Sequence, residues 1–395
     1  MSGSKHRAGL IGCGRMSRFH IPALQATPRV ELVALADPYG PALNERGEQF
    51  NVPAEHRYAD FREMFAREHL DLVTICTQTP VHCPATLAAA EAGVRGIFCE
   101  KPIALDLVEA DRMVDVCEAR GAVLAINHWM RLAPAAREAA TLVRRGVIGE
   151  PLAVRIHDKG GRPAGIALIE LCTHFFDLVR TFAGDPAWVL GHLSVFDEGG
   201  VRAATAADVK PSLVAWPRDR DCGLVVGDRC AVTFGFHPHP AMGSRGLVAT
   251  YHGFFQPPEK TWRSGIDILG MDGVLALNSA GDGRVELYLH RGPWATPGHF
   301  EPVVVGDAAL PQWPQSLPLG RDQYHVPGMI AMLQALVHAV DTGEAHPSSG
   351  RDGRWALEMI MGVFESHARG ALVTLPLADR RQPLERWVAA PAVLA

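Results

Sequence analysis

Two short motifs carry groups suited to chemistry. In Gly12-Cys13-Gly14-Arg15-Met16-Ser17, Gly12 permits a tight turn and Gly14 lets the backbone approach a pyrophosphate. In Glu100-Lys101-Pro102, the proline ring restricts the backbone at the point where the lysine must be aimed. Together the motifs predict a phosphate-binding turn and a reactive lysine at the ends of parallel strands, which points to hydride transfer with a nicotinamide cofactor.

A third set of polar residues lies in an apolar segment. Glu170, His174 and Asp177 are spaced i, i+4 and i+7, so on a regular α-helix they share one face. Oxidation of an alcohol needs a base for the hydroxyl proton, and a histidine with an ordinary pKa of about 6.5 suits that task. We expect His174 to be this base, Glu170 to hold a substrate hydroxyl or orient the imidazole, and Asp177 to fix its tautomer.

Lys101 has two possible roles in the same reaction. Its ammonium can donate to the reacting oxygen and stabilise the negative charge that develops there. If apolar surroundings lower its pKa, Lys101 instead becomes the base. The sequence leaves both roles open.

Asp37 sets the expected cofactor. It follows the second predicted strand, about twenty residues past the glycine turn, where a carboxylate accepts both ribose hydroxyls of NAD. The 2'-phosphate of NADP would meet like charge, and no Arg or Lys lies in residues 38–43, so NAD is favoured over NADP. Asp37 could alternatively only begin a turn with Pro38. The predicted cofactor-binding residues are Gly12, Gly14, Arg15, Met16, Asp37, Thr77, His82, Glu100 and Lys101.

The elements that must position these residues follow two patterns. Up to about residue 126, short apolar runs alternate with amphipathic stretches, which predicts α/β structure with a doubly wound parallel sheet, a Rossmann domain over 1–127. Residues 188–305 are dominated by alternating strand-like runs, which predicts a large open mixed or antiparallel sheet within an α/β domain over 128–395. Helices are expected again at 327–341 and 352–369.

A smaller group of residues is assigned to the substrate. Lys159 and Arg162 flank a Gly-Gly loop just before the segment with His174, where they form either a substrate wall or a solvated loop. Arg131 either pairs with a carboxylate or contacts substrate, and Asp177 is a further candidate for substrate contact. His20 and His82 are more typical of packing or loop-fixing groups than of catalysts.

Composition excludes several classes of protein. The net charge of -5 leaves no basic stripe for nucleic acid. No apolar run reaches the roughly 18 residues of a membrane span, and the N-terminus lacks the apolar core of a secretion signal, so we expect a cytoplasmic protein. The eight cysteines have no paired or zinc-type spacing and are expected to be buried thiols. We predict no metal site, because His237 and His239 have no third ligand nearby in sequence.

At this point the sequence resembles the Gfo/Idh/MocA oxidoreductases, the family of glucose-fructose oxidoreductase and inositol dehydrogenase. The matching residues run through nearly the whole chain: Gly12, Gly14, His20, Asp37, Thr77, His82, Glu100-Lys101-Pro102, Arg131, Pro134, Gly149-Glu150, His174, Asp177, Gly270, Gly273, Gly353, Ala356, Ser366, Gly370 and Leu375-Pro376. The resemblance implies a Rossmann domain, an α/β domain whose broad sheet makes subunit contacts, and redox chemistry at a sugar or polyol carbon. A homodimer or homotetramer through the C-terminal sheet is therefore expected.

The sequence departs from the family pattern at two places. Thr77-Gln78-Thr79 replaces the usual Thr-Pro-Asn, and Glu170-Leu171-Cys172-Thr173-His174 replaces the usual Asp-x-Gly-x-His. Glu170 adds one methylene to the reach of the carboxylate, which bears on substrate identity.

These observations favour an NAD-dependent dehydrogenase that acts on a ring hydroxyl of a sugar, glycoside or polyol. Two alternatives stay open. One is redox-neutral glycoside cleavage by transient oxidation and elimination with retained NAD. The other is a catalytically silent protein that senses NAD or sugar, a use that the family includes.

Overall fold

The computed structural model describes residues 5–157, 161–215, 219–254, 264–279, 284–292, 300–305 and 325–390. Its first sheet has six parallel strands in the order β3-β2-β1-β4-β5-β6. The strands are β1 (His6–Ile11), β2 (Val30–Ala36), β3 (Arg57–Tyr58), β4 (Leu72–Ile75), β5 (Gly96–Cys99) and β6 (Val123–Ile126). This order confirms the predicted doubly wound sheet, although the two-residue β3 is not evident from the sequence.

Helices connect these strands and have local sequence signals at their ends. They are α1 (Ser17–Ala26), α2 (Gly40–Gln49), α3 (Phe61–Arg67), α4 (His82–Glu91) and α5 (Leu107–Arg120). Asp60 and Asp106 cap the N-termini of α3 and α5 by accepting from backbone amides of the first turn. Gly121 ends α5 in the left-handed region at φ 68°, a conformation that glycine adopts without strain.

The second large sheet has ten strands and is mixed, as predicted. Its order is β17-β16-β15-β14-β7-β13-β12-β8-β18 with β9 beside β8, and β13 pairs with β7 in parallel. Its strands, with the separate β10–β11 pair, are β7 (Pro151–His157), β8 (Pro186–Asp197), β9 (Gly200–Ala203), β10 (Lys210–Ala215), β11 (Asp219–Val225), β12 (Arg229–Phe236), β13 (Val248–Phe254), β14 (Ser264–Gly270), β15 (Gly273–Ser279), β16 (Val285–Arg291), β17 (Glu301–Pro302) and β18 (Val373–Thr374).

Helices cover only the inner face of this sheet among the described residues. The helices of this half are α6 (Pro134–Arg144), α7 (Ala164–Ala167), α8 (Thr173–Ala183), α9 (His325–Thr342), α10 (Gly350–Arg369) and α11 (Pro383–Ala389). On the inner face, Phe176 of α8 packs edge-on against Phe234 and Tyr251, with ring centroids 5.0 and 6.0 Å away. On the outer face, Leu190 and Val248 remain 49% and 39% exposed.

The last two long helices return to the first sheet. Helix α9 packs on α1, β5 and β6, and α10 packs on α5 and β6. Ser348, between these helices, donates to the carbonyl of Ile126 at 2.9 Å and accepts from its amide at 3.0 Å. The first sheet thus ends at residue 126, but part of its cover comes from the C-terminal 70 residues, and the division into 1–127 and 128–395 stays a prediction.

Candidate active site

The turn after β1 contains two glycines, and a side chain would be excluded at Gly12 but not at Gly14. Gly12 has φ +98°, and a Cβ on it would lie 2.8 Å from the carbonyl oxygen of Cys76. A Cβ on Gly14 would meet no described atom within 4 Å, so the backbone there faces open space. Ser17 occupies the third glycine position and closes the turn by donating to the carbonyl of Gly14 at 2.6 Å.

Asp37 anchors this turn to the end of β2. Its carboxylate accepts from the amide of Cys13 at 2.7 Å and from the amide of Tyr39 at 2.7 Å. The turn and Asp37 border a cleft of about 1130 Å³, large enough for a dinucleotide. Its lining includes the predicted cofactor residues Gly12, Gly14, Arg15, Met16, Asp37 and Thr77, and also Tyr39, Arg46, Phe61 and Gln78.

The residues present fit NAD. Open space beside Gly14 gives a pyrophosphate access to the amides at the start of α1, and the acidic side chain lies where ribose hydroxyls are held. A carboxylate at this place opposes a 2'-phosphate.

Glu100 lies at the carboxyl end of β5 and organises the surrounding loops. One carboxylate oxygen accepts from His20 Nε2 at 2.7 Å and from Asn127 Nδ2 at 2.8 Å, and the other accepts from the amide of Lys101 at 3.2 Å. Burial alone would raise the pKa of Glu100, but the bond from His20 and the charge of Lys101 outweigh burial and hold the pKa well below its ordinary value. Glu100 is therefore an ionised structural anchor.

Glu100 and His82 are both predicted cofactor residues, and the structure places both in the interior. Glu100 is buried, and its carboxylate is taken up by the contacts above. His82 is buried as well; its Nδ1 lies 2.9 Å from the carbonyl oxygen of Pro102, and its Nε2 lies 3.3 Å from that of Thr77. His82 thus joins the two loops that follow β4 and β5 and supports them from behind. These contacts fit the loop-fixing role expected of His82, and cofactor binding by Glu100 and His82 stays a prediction.

Lys101 reaches the helix that carries His174. Its Nζ donates to the backbone carbonyl of Glu170 at 2.7 Å. Residues Leu168–Cys172 form a π-helical turn between α7 and α8, and such turns are frequent at functional sites. The prediction that Glu170 and His174 follow regular α-helical spacing is therefore wrong, because the π turn interrupts it.

The Glu170 side chain has a partner at the rim of the site. Its carboxylate is buried and forms an ion pair with Arg162, whose side chain is 41% exposed. Arg162 thus lies beside the segment that bears His174, and its place in a substrate wall stays a prediction. Lys159, the other residue of the predicted wall, lies outside the described residues.

His174 sits in a group of aromatic rings. Its ring meets His128 edge-on at 5.6 Å between centroids and Trp129 at 6.3 Å, and Trp129 in turn contacts His325 at 5.2 Å. Burial, followed by the charges of Lys101 and His128, lowers the pKa of His174 well below its ordinary value. The imidazole is therefore neutral near pH 7 and available as a base.

Asp177 and Arg131 pair with each other. Arg131 Nε donates to Asp177 Oδ2 at 2.6 Å, and Arg131 also contacts Asp352 at 3.1 Å and the carbonyl of Pro347 at 3.0 Å. His174 Nδ1 has no hydrogen-bond partner among the described residues. The expected bond between Asp177 and the imidazole is therefore corrected, and Arg131 has the carboxylate partner that was one of its two expected roles. Together the two residues join α8 to α10, and contact of either with substrate stays a prediction.

Sequence reasoning missed the contribution of the segment after β6. Asn127 bonds Glu100, and His128 and Trp129 contact the ring of His174. The position of these residues in the sequence could have revealed them, because polar side chains just past the carboxyl end of a parallel strand lie at the edge of the sheet where ligands bind. The segment that follows β6, the last strand of the first sheet, thus contributes residues to the site.

Neither a membrane-spanning helix nor a metal-binding cluster occurs among the described residues. No described helix is both long and apolar enough to cross a membrane. No cluster of three or more His, Cys, Asp or Glu side chains suited to a metal was found in the same part of the chain. Seven cysteines are buried and form no disulfide: Cys13, Cys76, Cys83, Cys99, Cys117, Cys172 and Cys230.

Known protein families account for both halves of this architecture. Residues 6–128 match the family described as "Oxidoreductase family, NAD-binding Rossmann fold", and residues 140–375 match "Oxidoreductase family, C-terminal alpha/beta domain". The chain therefore belongs to the Gfo/Idh/MocA oxidoreductase family, and it is an NAD-binding oxidoreductase.

Individual relatives are similar over most of the chain. A D-apiose dehydrogenase of Paraburkholderia graminis is 34% identical and aligns with 96% of this chain and 92% of its own length. A myo-inositol 2-dehydrogenase of Thermotoga maritima is 27% identical over 61% of this chain and 74% of its own. A solved levoglucosan dehydrogenase in complex with NADH and levoglucosan shares the fold, with a TM-score of 0.74 at 21% identity, covering 95% of this chain and all of that one (100%).

Proposed function

We propose that this protein is an NAD-dependent dehydrogenase that oxidises a ring hydroxyl of a sugar, glycoside or polyol. The observation that carries the proposal is the 2.7 Å hydrogen bond from Lys101 Nζ to the carbonyl of Glu170. It joins the loop at the ligand edge of the Rossmann sheet to the helix that bears His174. The names of the relatives, which act on apiose and inositol, support this class of substrate.

His174 and Lys101 have different roles in the proposed reaction. NAD, when bound, supplies the acceptor for the hydride of the hydroxyl-bearing carbon. His174 takes the hydroxyl proton as the carbonyl forms, because its lowered pKa keeps it unprotonated. Lys101 donates a hydrogen bond to the reacting oxygen and stabilises the negative charge that develops on it.

Glu170 and Arg162 contribute the rim of the substrate site. Arg162 is exposed enough to meet a substrate hydroxyl, and its pairing with Glu170 holds it next to the catalytic segment. Lys159 remains a predicted neighbour of this rim.

The experiment is a substrate panel followed at the absorbance band of reduced nicotinamide. Purified protein is mixed with NAD and, separately, with NADP, and with D-apiose, myo-inositol, scyllo-inositol and levoglucosan. We expect turnover with at least one ring hydroxyl compound and a preference for NAD, since Asp37 borders the cleft. Release of an aglycone from a glycoside without added cofactor would instead support redox-neutral cleavage, and NAD binding without any turnover would support a sensor.

Assembly and location complete the proposal. We propose that copies associate through the outer face of the ten-stranded sheet, where Leu190 and Val248 are exposed. The choice between homodimer and homotetramer stays open, and the cytoplasmic location remains a prediction from the sequence.

A further inference from the structure

Three buried polar atoms, one on His174 and two on neighbouring side chains, lack hydrogen-bond partners. His174 Nδ1, His128 Nδ1 and Asp177 Oδ1 are all inaccessible and have no hydrogen-bond partner among the described residues. Buried polar groups without partners are costly, so native proteins satisfy nearly all of them. Three such atoms on neighbouring side chains therefore call for one shared explanation.

Direct bonds among the three do not explain them. His128 Nδ1 lies 3.7 Å from Asp177 Oδ1, too far for a hydrogen bond. The rings of His128 and His174 meet edge-on with centroids 5.6 Å apart and planes at 79°. At 3.7 Å, His128 Nδ1 and Asp177 Oδ1 can both reach one shared water, and the ring of His174 is the neighbour of His128.

We propose that His128 is a positioning residue, which together with Asp177 and one buried water fixes the tautomer of His174. The water accepts from His174 Nδ1–H and His128 Nδ1–H and donates to Asp177 Oδ1. Asp177 Oδ2 is already bound to Arg131 at 2.6 Å, which leaves Oδ1 as the acceptor. The Thr173 hydroxyl lies 2.9 Å from His128 Nε2. In the proposed arrangement this hydroxyl donates to Nε2, and the proton of His128 is on Nδ1.

This arrangement has a consequence for the reaction. With its proton held on Nδ1, His174 presents the lone pair of Nε2 to the substrate hydroxyl, as a general base must. The inference rests on the proposed function, because it assumes that His174 is the base. It also gives Asp177 an indirect part in orienting the imidazole.

The test replaces the ring nitrogens of His128 while keeping a flat ring. In His128→Phe, we expect kcat to fall about 10- to 100-fold with little change in the KM for NAD. Nitrogen-15 NMR of labelled histidines, with His174→Ala to assign the signal, should show one Nδ1–H tautomer for His174 in the native protein and a mixture in the variant. His128→Asn, which keeps a side-chain N–H, should recover part of kcat.

A matched control and a second variant keep the test decisive. His367, near the C-terminal end of α10, meets His192 edge-on at 5.5 Å and 83° and is not among the residues that line the dinucleotide cleft, so His367→Phe should leave kcat and the His174 tautomer unchanged. If His128→Phe does not fold, Thr173→Val tests the same chain of bonds, and we expect it to lower kcat and mix the tautomers.

The failures are distinguishable. A folded His128→Phe protein with native kcat and a single tautomer overturns this inference and leaves the proposed function intact. Native turnover in His174→Ala overturns the assignment of the base itself.

Discussion

At the scale of residues, the site combines an ionised anchor with a neutral base. Glu100 accepts from His20, Asn127 and the Lys101 amide and so fixes the loop from which Lys101 extends. Burial and nearby positive charge keep His174 unprotonated. In the proposed reaction, the same low-dielectric surroundings that keep His174 neutral also strengthen the interaction of Lys101 with charge on the reacting oxygen.

Removing the proposed base gives the first prediction. In His174→Asn, we expect kcat to fall about 10²- to 10⁴-fold, the usual contribution of a general base, because no other described side chain is assigned to the hydroxyl proton. The dissociation constant of NAD should stay within about twofold by titration, since His174 is not among the residues that line the dinucleotide cleft. A variant that turns over at the native rate contradicts the assignment.

The pH profile gives the second prediction. A base acts only when unprotonated, and the pKa of His174 is lowered by burial first and by Lys101 second. The acid limb of kcat/KM should therefore lie below pH 6.5, the ordinary value, with activity flat from there towards pH 8. Lys101→Met removes a positive charge, so the limb of its residual activity should move to higher pH. A native limb at or above the ordinary histidine value is the opposite result.

The sequence predicts some residues of the site but not their long-range partners. Gly12, Gly14, Asp37 and Lys101 were predictable because each meets a local requirement that spacing after a strand exposes. The partner of Asp177 was not, because Arg131 lies 46 positions away along the chain and meets it only through tertiary packing.

At the scale of elements, two local departures from regular structure position the reacting groups. The positive-φ turn at Gly12 brings the start of α1 to the edge of the sheet. The π turn at Leu168–Cys172 offers the Glu170 carbonyl to Lys101. The spacing of Glu170, His174 and Asp177 predicts a shared helix face but assumes 3.6 residues per turn, so it cannot reveal the π turn.

The glycine turn gives the third prediction, as a pair of variants. Gly12→Ala forces a Cβ against the Cys76 carbonyl at a positive φ, so its free energy of unfolding should fall by about 1–3 kcal/mol. Gly14→Ala meets no described atom, so its melting temperature should be near native while its affinity for NAD falls several-fold. Calorimetry and NAD titration measure the two effects. Native NAD affinity in Gly14→Ala would argue against a pyrophosphate at this position.

At the scale of the whole molecule, the C-terminal helices complete the first domain and leave one face of the second sheet uncovered among the described residues. Helix α9 brings His325 against Trp129 and Phe19, so the site draws on segments more than 300 residues apart. The alternating strands of 188–305 predicted a sheet, but strand order depends on long-range pairing such as parallel β13–β7, which no local pattern specifies.

The exposed face gives the fourth prediction. Leu190 lies on the outer face of β8, and Leu190→Asp places a charge in the proposed subunit contact, so light scattering should show a smaller assembly than for the native protein. Val388 of α11 is equally apolar and 53% exposed but lies off this sheet, and Val388→Asp is expected to keep the native mass. An unchanged mass for Leu190→Asp would place the contact elsewhere.

The most direct test of the central claim is a crystal structure with NADH and a substrate sugar or polyol from the active panel. We expect the reacting hydroxyl oxygen to lie within about 3 Å of both Lys101 Nζ and His174 Nε2, and the carbon that bears this hydroxyl to lie about 3–3.5 Å from nicotinamide C4. A complex in which the nicotinamide is bound productively but either Lys101 or His174 points away from the hydroxyl would contradict it.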